Sequence, residues 1–347
     1  MLRSEILDCL ESSLAASDVL LEIVVVDNAS TDDTVAQIRS WTAGTEPYCC
    51  PDDSPVPGAA SSKQVMVHSA DAPLSDGRHH ITLFQNDINL GFAGRGNLGL
   101  LHLATRAEID RFWIFNPDSV VTPQTPSFFV NHSVTTGWAL MAGRLFYYDL
   151  SDVIQNDGGT INRFTGVTSN LNLFAKGADT PPALAEQMQF VSGASRKFYE
   201  TIGPMNGSYF RHHEEVDWAL RHRTLKLVNT PDGVVYHKAG TASVSPSLGH
   251  PASPFLLHFK HRARLRFIKH IYPLSLPVAG AFTLAKAAQL ALTGFKPEAV
   301  ALLNGGFEMP PPAAVRDRLR CAGCKVGIFQ KPSSLYSARR FRAILSI

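Results

Sequence analysis

The sequence predicts an α/β fold built on a mostly parallel, doubly wound sheet, followed by a helical extension. Three observations predict it. Short β-branched or aromatic runs, EIVVV at 22–26, ITLFQND at 81–87 and RFWIF at 111–115, each stop at a polar corner and give way to a helical pattern. Strands alternating with helices in this way pack as parallel βαβ units. Two of the corners, DNAS from Asp27 and NPDS from Asn116, place carboxylates and amides at strand carboxyl ends, where open α/β sheets bind ligands. Past Pro254 the pattern changes to basic, apolar-periodic stretches without strand signals.

In chain order, residues 6–16 read as a helix and 22–26 as a strand of the buried type. Residues 31–41 read as a helix, with Ser30 or Thr31 as its cap. From 42 to 80 the chain is loaded with Pro, Gly, Ser and Asp, shows no period, and reads as a long mobile insertion. The strand 81–87 turns through the glycines of NLGFAGRGN into a helix, and 111–115 is the next buried strand. Residues 138–210 mix loops with short strand-like pieces such as LMAGRLFYY and QFVSGA. HHEEVDWALRHR, 212–223, is a helix opening on acids, which suits the positive end of its dipole. LKLVNTPDGVVYHKAGTAS reads as two short strands joined by a turn at 231–233. Residues 251–308 form a basic helical region, and 309–347 a Pro-rich, then basic, partly mobile tail.

The 347 residues, 45% hydrophobic and 18% charged, suffice for one large domain with additions. A net charge of +2 supplies no global field that would demand a nucleic acid. The five cysteines include adjacent Cys49 and Cys50 and a single CxxC, Cys321 and Cys324. That is neither a disulfide framework nor a paired zinc motif, and the thiols are read as reduced. The N-terminus lacks an apolar signal core. The longest apolar stretch, from Pro277, is interrupted by Lys286, so no transmembrane run is expected and a cytoplasmic protein is.

The strand-end groups suggest a nucleotide site. A carboxylate such as Asp27 accepts hydrogen bonds from a base edge or a ribose hydroxyl, and one such as Asp118 holds a divalent cation through oxygen. Alone, either would equally serve as a turn former or helix cap. Gly91, Gly94, Gly96 and Gly99 do not follow the first strand with GxGxxG spacing, which argues against a dehydrogenase. They let backbone approach a nucleotide sugar, or simply turn the chain.

Six segments then carry a resemblance: VVVDNASTDDT, NDINLGFAGRGNLGL, FNPDSVVTP, VSGAS, FRHHEEVDWALR and YHKAGTAS. In this order they resemble the family 2 glycosyltransferases over about 6–266, and the chain looks most like the rhamnosyltransferase-type branch, which has the GT-A fold. The resemblance implies a GT-A domain over 1–250. It implies an inverting enzyme that moves a sugar from a nucleoside diphosphate donor to an acceptor hydroxyl with Mg2+ or Mn2+. It implies that Asp27 and Asn28 contact the nucleotide, and that Gly91, Phe92 and Asn97 surround the donor. Asn116 and Asp118 match the diphosphate and cation motif DxD, of which only the second acid survives, and His237 matches a residue near the metal. Glu214 and Glu215 match the acidic pair, with Glu215 as the base that inversion requires and Arg221 as a structural residue. Repulsion among Glu214, Glu215 and Asp217 is expected to raise one pKa. The family's usual first strand, before the helix at 6–16, has no counterpart here.

The leading donor is dTDP-rhamnose, with polysaccharide or lipid-linked saccharide of the cell envelope as acceptor. UDP- or GDP-sugars are alternatives, as is a non-catalytic assembly subunit. HFKHRARLRFIKHIYP, 258–273, sets Leu256, Phe259, Ala263, Phe267 and Ile271 on one helical face, with Lys260 intruding and Arg262, Arg264, Arg266 and Lys269 around it. It is either a packing helix or a peripheral contact with the inner face of a membrane, where anionic lipid attracts each basic residue by about 1 kcal/mol.

Overall fold

The computed structural model describes residues 3–56, 66–68, 79–136, 139–181, 193–222, 224–238 and 251–321. Its N-terminal part runs α1 (Arg3–Leu14), β1 (Glu22–Asp27), α2 (Thr34–Thr42), β2 (Met66–His68), β3 (His80–Gln85), α3 (Gly91–Ala104) and β4 (Arg111–Trp113). β1, β3 and β2 form a parallel sheet with β3 in the middle. Successive β1 side chains point to opposite faces. Ile23 and Val25 join Leu7, Leu10, Ile38 and Trp41 of α1 and α2, while Val24 and Val26 lie against Gly99 of α3. An apolar run without alternation is what a strand covered on both faces needs. Yet β1 is a sheet edge and is half-buried along its whole length.

The chain continues through β5 (Ser119–Val121), α4 (Thr125–Thr136), β6 (Leu140–Tyr147), β7 (Ile154–Asn156), β8 (Gly159–Ile161), β9 (Thr168–Asn170), β10 (Gly193–Ser195), α5 (Arg196–Ile202), α6 (Glu214–Leu220) and β11 (Leu227–His237). The second sheet runs β4-β10-β6-β11-β5, with β7 on β6, and only its β6–β11 pair is parallel. Parallel winding is therefore concentrated in the first sheet. β1 and β4 are both edges, and no described strand pairs between them. The two sheets are joined by α3, whose Leu100 packs with Phe112, and by α1, whose Ser12 Oγ accepts the Val121 N–H at 3.3 Å.

Several expectations change. α2 starts at Thr34 after Asp33, with no side-chain cap from Ser30 or Thr31. The 42–80 insertion contributes a strand, β2, paired in parallel with β3; its residues 57–65 and 69–78 lie outside the described residues. The glycines after β3 do not form a turn leading into a helix, because α3 already begins at Gly91. The two strands expected around 231–233 are one strand, β11, bulged between Thr230 and Val234. Gly143 permits this, since a Cβ there would stand 2.3 Å from the Gly233 carbonyl oxygen.

The C-terminal part is α7 (Pro254–Ile271), α8 (Leu276–Leu292), α9 (Lys296–Gly306) and α10 (Ala313–Cys321). α7 starts cleanly, with the Ser253 hydroxyl accepting the Leu256 N–H at 3.4 Å. It is a core helix and not a solvent-facing basic one. Arg262 and Arg264 are buried with Phe259, Ala263 and Phe267. Arg264 donates to Thr165 O, Thr283 Oγ1 and Ala279 O, and Arg266 to Ser208 O and Glu308. These internal contacts and the burial of Arg262 and Arg264 turn the guanidiniums away from a lipid surface. Pro273–Leu292, despite Lys286, is long and apolar enough to cross a membrane by length and composition. Of the tail, 313–321 is helical, and 322–347 lies outside the described residues.

Candidate active site

Three groups of side chains stand at strand ends and helix starts. The first follows β1. Asp27 Oδ1 accepts the Ser30 N–H at 3.2 Å, which leaves its second oxygen open among the described residues. Asn28 is a clasp on the start of α3. Its Oδ1 accepts the Leu90 N–H at 2.8 Å, and its Nδ2 donates to Asn89 Oδ1 at 2.8 Å and to Gly91 O at 3.3 Å. Gly91 has φ 72°, and a Cβ on it would meet Phe210 O at 2.3 Å. That same oxygen accepts the Phe92 N–H at 2.8 Å. Only glycine combines this φ with so close an approach. Asn97 is buried, and both its amide atoms bond the Met205 backbone, at 2.9 Å each. It therefore ties α3 to 205–206, and is not turned to a donor as expected.

The second group is Asp118, His237 and Gln155. Asp118 directly precedes β5, and the pairing of His237 with Ser119 sets the imidazole beside its carboxylate. Nε2 stands 3.2 Å from Asp118 Oδ1, and Nδ1 stands 2.6 Å from Gln155 Oε1. The Gln155 carboxamide and the Asp118 carboxylate hold the ring at both nitrogens, with Nε2–H donating to Asp118 or a cation set between them. Two ligands at right angles about 2.1 Å from a cation stand about 3 Å apart, so the observed spacing fits a shared ion. Asn116 is half-buried on the same loop, and its carbonyl accepts the Cys9 thiol at 3.7 Å. Among the described residues, no group of three or more His, Cys, Asp or Glu is placed to hold a metal ion.

The third group is the acidic start of α6. The chain reaches it through left-handed backbone at Phe210 (φ 65°), His212 (φ 69°) and His213 (φ 64°). Such conformations cost about 1–3 kcal/mol each in non-glycine residues and gather at functional sites. Burial pushes His212 down to about 3 and His213 down to about 4, so both are neutral. Glu214 is 3% exposed. Its Oε2 has no hydrogen-bond partner among the described residues. Burial first, then repulsion from Glu215, raises its pKa above the usual carboxylate range, against backbone N–H groups that oppose the rise. Glu215 is half-buried. Burial raises it too, and Arg95 pulls it back. Asp217 does not join the pair as expected: it turns inward to Tyr209 Oη at 3.3 Å and Arg221 Nε at 3.1 Å. Arg221 also donates to Ile202 O and Pro204 O, which is the structural role expected of it.

Three residues here escaped the sequence reading. Gln155 carried no signal. Arg95 stands inside the glycine motif, where attention fell on the glycines, and Arg211 adjoins the acidic pair. The Arg95 guanidinium lies 5.1 Å from the centre of the Phe92 ring. Burial and the like charge of Arg211 lower its pKa, while Asp118, Glu214 and Glu215 act to raise it. Neither arginine has a side-chain hydrogen bond or ion pair among the described residues.

No curated protein matches the chain in sequence. Similar solved structures include S. aureus TarS 1-349 (14% identical, covering 92% of this chain and 80% of that one, TM-score 0.44). The mannosyltransferase PcManGT from Pyrobaculum calidifontis, in complex with GDP-Man and Mn2+, is 16% identical over 88% of this chain and 83% of that one, TM-score 0.44. GalNAc-T7 with UDP, GalNAc and Mn2+ is 12% identical over 87% of this chain and 52% of that one, TM-score 0.47. The model of Glycosyl transferase family 2 matches residues 3–50, which hold α1, β1 and Asp27. The likeness to Glycosyl transferase family 2 is carried by that N-terminal segment.

Proposed function

We propose that the chain is an inverting glycosyltransferase that moves a sugar from a nucleoside diphosphate to a hydroxyl of a polysaccharide or lipid-linked saccharide of the cell envelope. Rhamnose from dTDP-rhamnose is the first donor to test. The observation that carries this reading is a pair of carboxylate sites: Asp118 beside His237 Nε2 at 3.2 Å, and buried Glu214 next to Glu215 at the start of α6. In this reading the first meets the diphosphate and the second takes the proton, as displacement of a diphosphate by a deprotonated hydroxyl requires.

In this proposal Asp27 takes the base or ribose, and Phe92 and the backbone at Gly91 line the donor. Asp118 and His237 would hold Mg2+ or Mn2+, with Asn116 beside them, and the bound ion would supply charge neutralisation to the diphosphate. With only one acid of DxD present, Arg95 and Arg211 are the cations left to meet the remaining negative charge. Glu215 accepts the acceptor hydroxyl's proton as its oxygen bonds the anomeric carbon. The bond from that carbon to the diphosphate oxygen breaks, and the configuration inverts. Glu215 takes this role over Glu214 because it is the more exposed of the two. The test is incubation of the purified chain with a panel of dTDP-, UDP- and GDP-sugars, reading nucleoside diphosphate release with Mn2+. One donor should be consumed well above the rest. Absence of both binding and turnover across the panel would overturn the reading.

A further inference from the structure

Asp118 and His237 both stand at chain ends, the first just before β5 and the second as the last residue of β11. Groups that share a cation must be held within about 0.5 Å of place, and the ends of elements are where a fold opens most readily. The ladder reaches one step further: the Lys238 N–H donates to Asp118 O at 2.9 Å. Side chains of α1 add a second hold. Asp8 is 4% exposed, and its Oδ2 stands 3.0 Å from Lys238 Nζ, 230 positions away in sequence. Its Oδ1 accepts the Tyr48 hydroxyl at 2.8 Å, so both oxygens are engaged and the carboxylate is fixed in rotation. Lys238 is gripped from another side by Tyr148, with Nζ 4.3 Å from the ring centre, and the Tyr148 N–H donates to His237 O at 3.2 Å. The next residue of α1, Cys9, reaches the Asn116 carbonyl. Consecutive residues of α1 thus touch the loop that carries Asp118 and the residue that follows His237.

Neighbours at the end of a strand point to opposite faces. His237 turns to Asp118 and Gln155, and Lys238 turns to Asp8. Fastening Lys238 therefore fixes the rotation of the strand end about its own axis, and with it the imidazole on the other face. Asp8 is not itself a cation ligand, since an ammonium and a hydroxyl occupy both its oxygens. Nor does stability account for the pair. Desolvation offsets most of the attraction in an ion pair this enclosed, whereas loss of one partner strands a charge. Such a pair restricts geometry more than it stabilises, and this one lies one residue from His237 on the chain and one from Cys9, which touches the Asp118 loop.

We propose that Asp8 is a positioning residue for the cation corner: through Lys238 it holds the end of β11, and with it His237, against Asp118. The proposal rests on the reading of Asp118 and His237 as cation ligands, and two measurements on the full chain keep the two apart. The first is the imidazole signal of His237 in metal-free, histidine-labelled protein, followed by NMR and assigned with His237→Gln. Asp8→Asn, which keeps size and an acceptor for Tyr48, should move that signal, as should Lys238→Met, while Lys238→Arg should leave it near its wild-type place. The second is calorimetric titration of Mn2+ with dTDP or UDP present, whichever binds more tightly. Asp8→Asn and Lys238→Met should each weaken Mn2+ about tenfold, at the low end of what loss of an outer partner costs, and Lys238→Arg should rescue most of it. The double variant Asp8→Asn/Lys238→Met leaves no stranded charge, so its melting temperature should recover toward wild type while its Mn2+ affinity stays low. Recovery of Mn2+ affinity together with melting temperature overturns the proposal and makes the pair a stability element only. An unmoved His237 signal in Asp8→Asn and in Lys238→Met overturns it as well. A wild type without Mn2+ affinity, its ring signal moving as expected, supports the anchoring by Asp8 and overturns the cation reading instead.

Discussion

Asp118 and Glu215 are both carboxylates that act on Arg95, and the chain holds them in opposite ways. Asp118 stands 3.2 Å from a ring nitrogen that is itself oriented by Gln155. Glu215 stands beside a second carboxylate, has no hydrogen-bond partner among the described residues, and is raised by burial. A carboxylate fixed beside an imidazole nitrogen is suited to hold a cation. One left without a donor, and raised toward neutrality, is suited to take a proton. The difference between binding and catalysis is thus written in partners, and not in residue type.

The largest effect expected from this contrast is at Glu215. Glu215→Gln keeps size and one acceptor but cannot take the proton, so transfer should fall by about 10²–10⁴-fold. Donor affinity, measured by calorimetry, should change little because the base faces the acceptor. A variant with full turnover would remove Glu215 from the chemistry.

On the other side of the contrast, Asp118→Ala should abolish most of the rise in nucleotide affinity produced by Mn2+ or Mg2+. Gln155→Leu tests the same site from behind. It removes the group that orients the His237 ring, and loss of such an outer partner typically costs 10–100-fold in metal affinity. Titration of the metal with the nucleoside diphosphate present reads both. Identical affinity in chelator and in metal would leave Asp118 and His237 as a plain ion pair.

Asp118 and Glu215 were both visible in the sequence, because a polar corner after an apolar run and an acidic helix start are local patterns. β1 lies within a residue of its expected end for the same reason. What was hidden depends on distant partners. Asn97 reads as a donor contact until Met205, 108 positions away, takes both its amide atoms. The arginines of α7 read as a basic surface until the carbonyls of Thr165 and Ser208 reach them. The segment 231–233 carries turn residues, and only the neighbouring β6 makes it a bulge inside one strand. Composition reports which groups need partners, and long-range packing decides who supplies them.

A smaller effect is expected at Asp27, which has one oxygen on the Ser30 N–H and one free. Asp27→Ala should weaken nucleotide binding by about 1–3 kcal/mol, the range for a lost hydrogen bond to a charged group, and should leave metal coupling intact. Unchanged nucleoside diphosphate affinity would confine Asp27 to the turn at Ser30.

The smallest effect, and the most discriminating, belongs to Glu214→Gln. Glu214 is raised further than Glu215, whose pKa is set by burial and Arg95, so Glu214 is neutral while Glu215 titrates. A base works only when ionised, and the rate falls as pH drops through its pKa. Glu214→Gln, neutral for neutral over that range, should therefore leave the acid limb of the kcat/KM profile in place, with the plateau nearly kept. Stability is where Glu214 shows. A carboxyl whose folded pKa lies above its unfolded value destabilises the fold progressively as pH rises from the unfolded value through the folded one. Glu214→Gln removes that loss, so its melting temperature should exceed wild type at pH 8 and converge with it near pH 4. If the plateau instead falls 10²-fold or more while Glu215→Gln retains its rate, the two carboxylates exchange roles. The buried member would then be the base, and the division between an enclosed and an open glutamate would have to be redrawn around a cleft that opens on binding the acceptor.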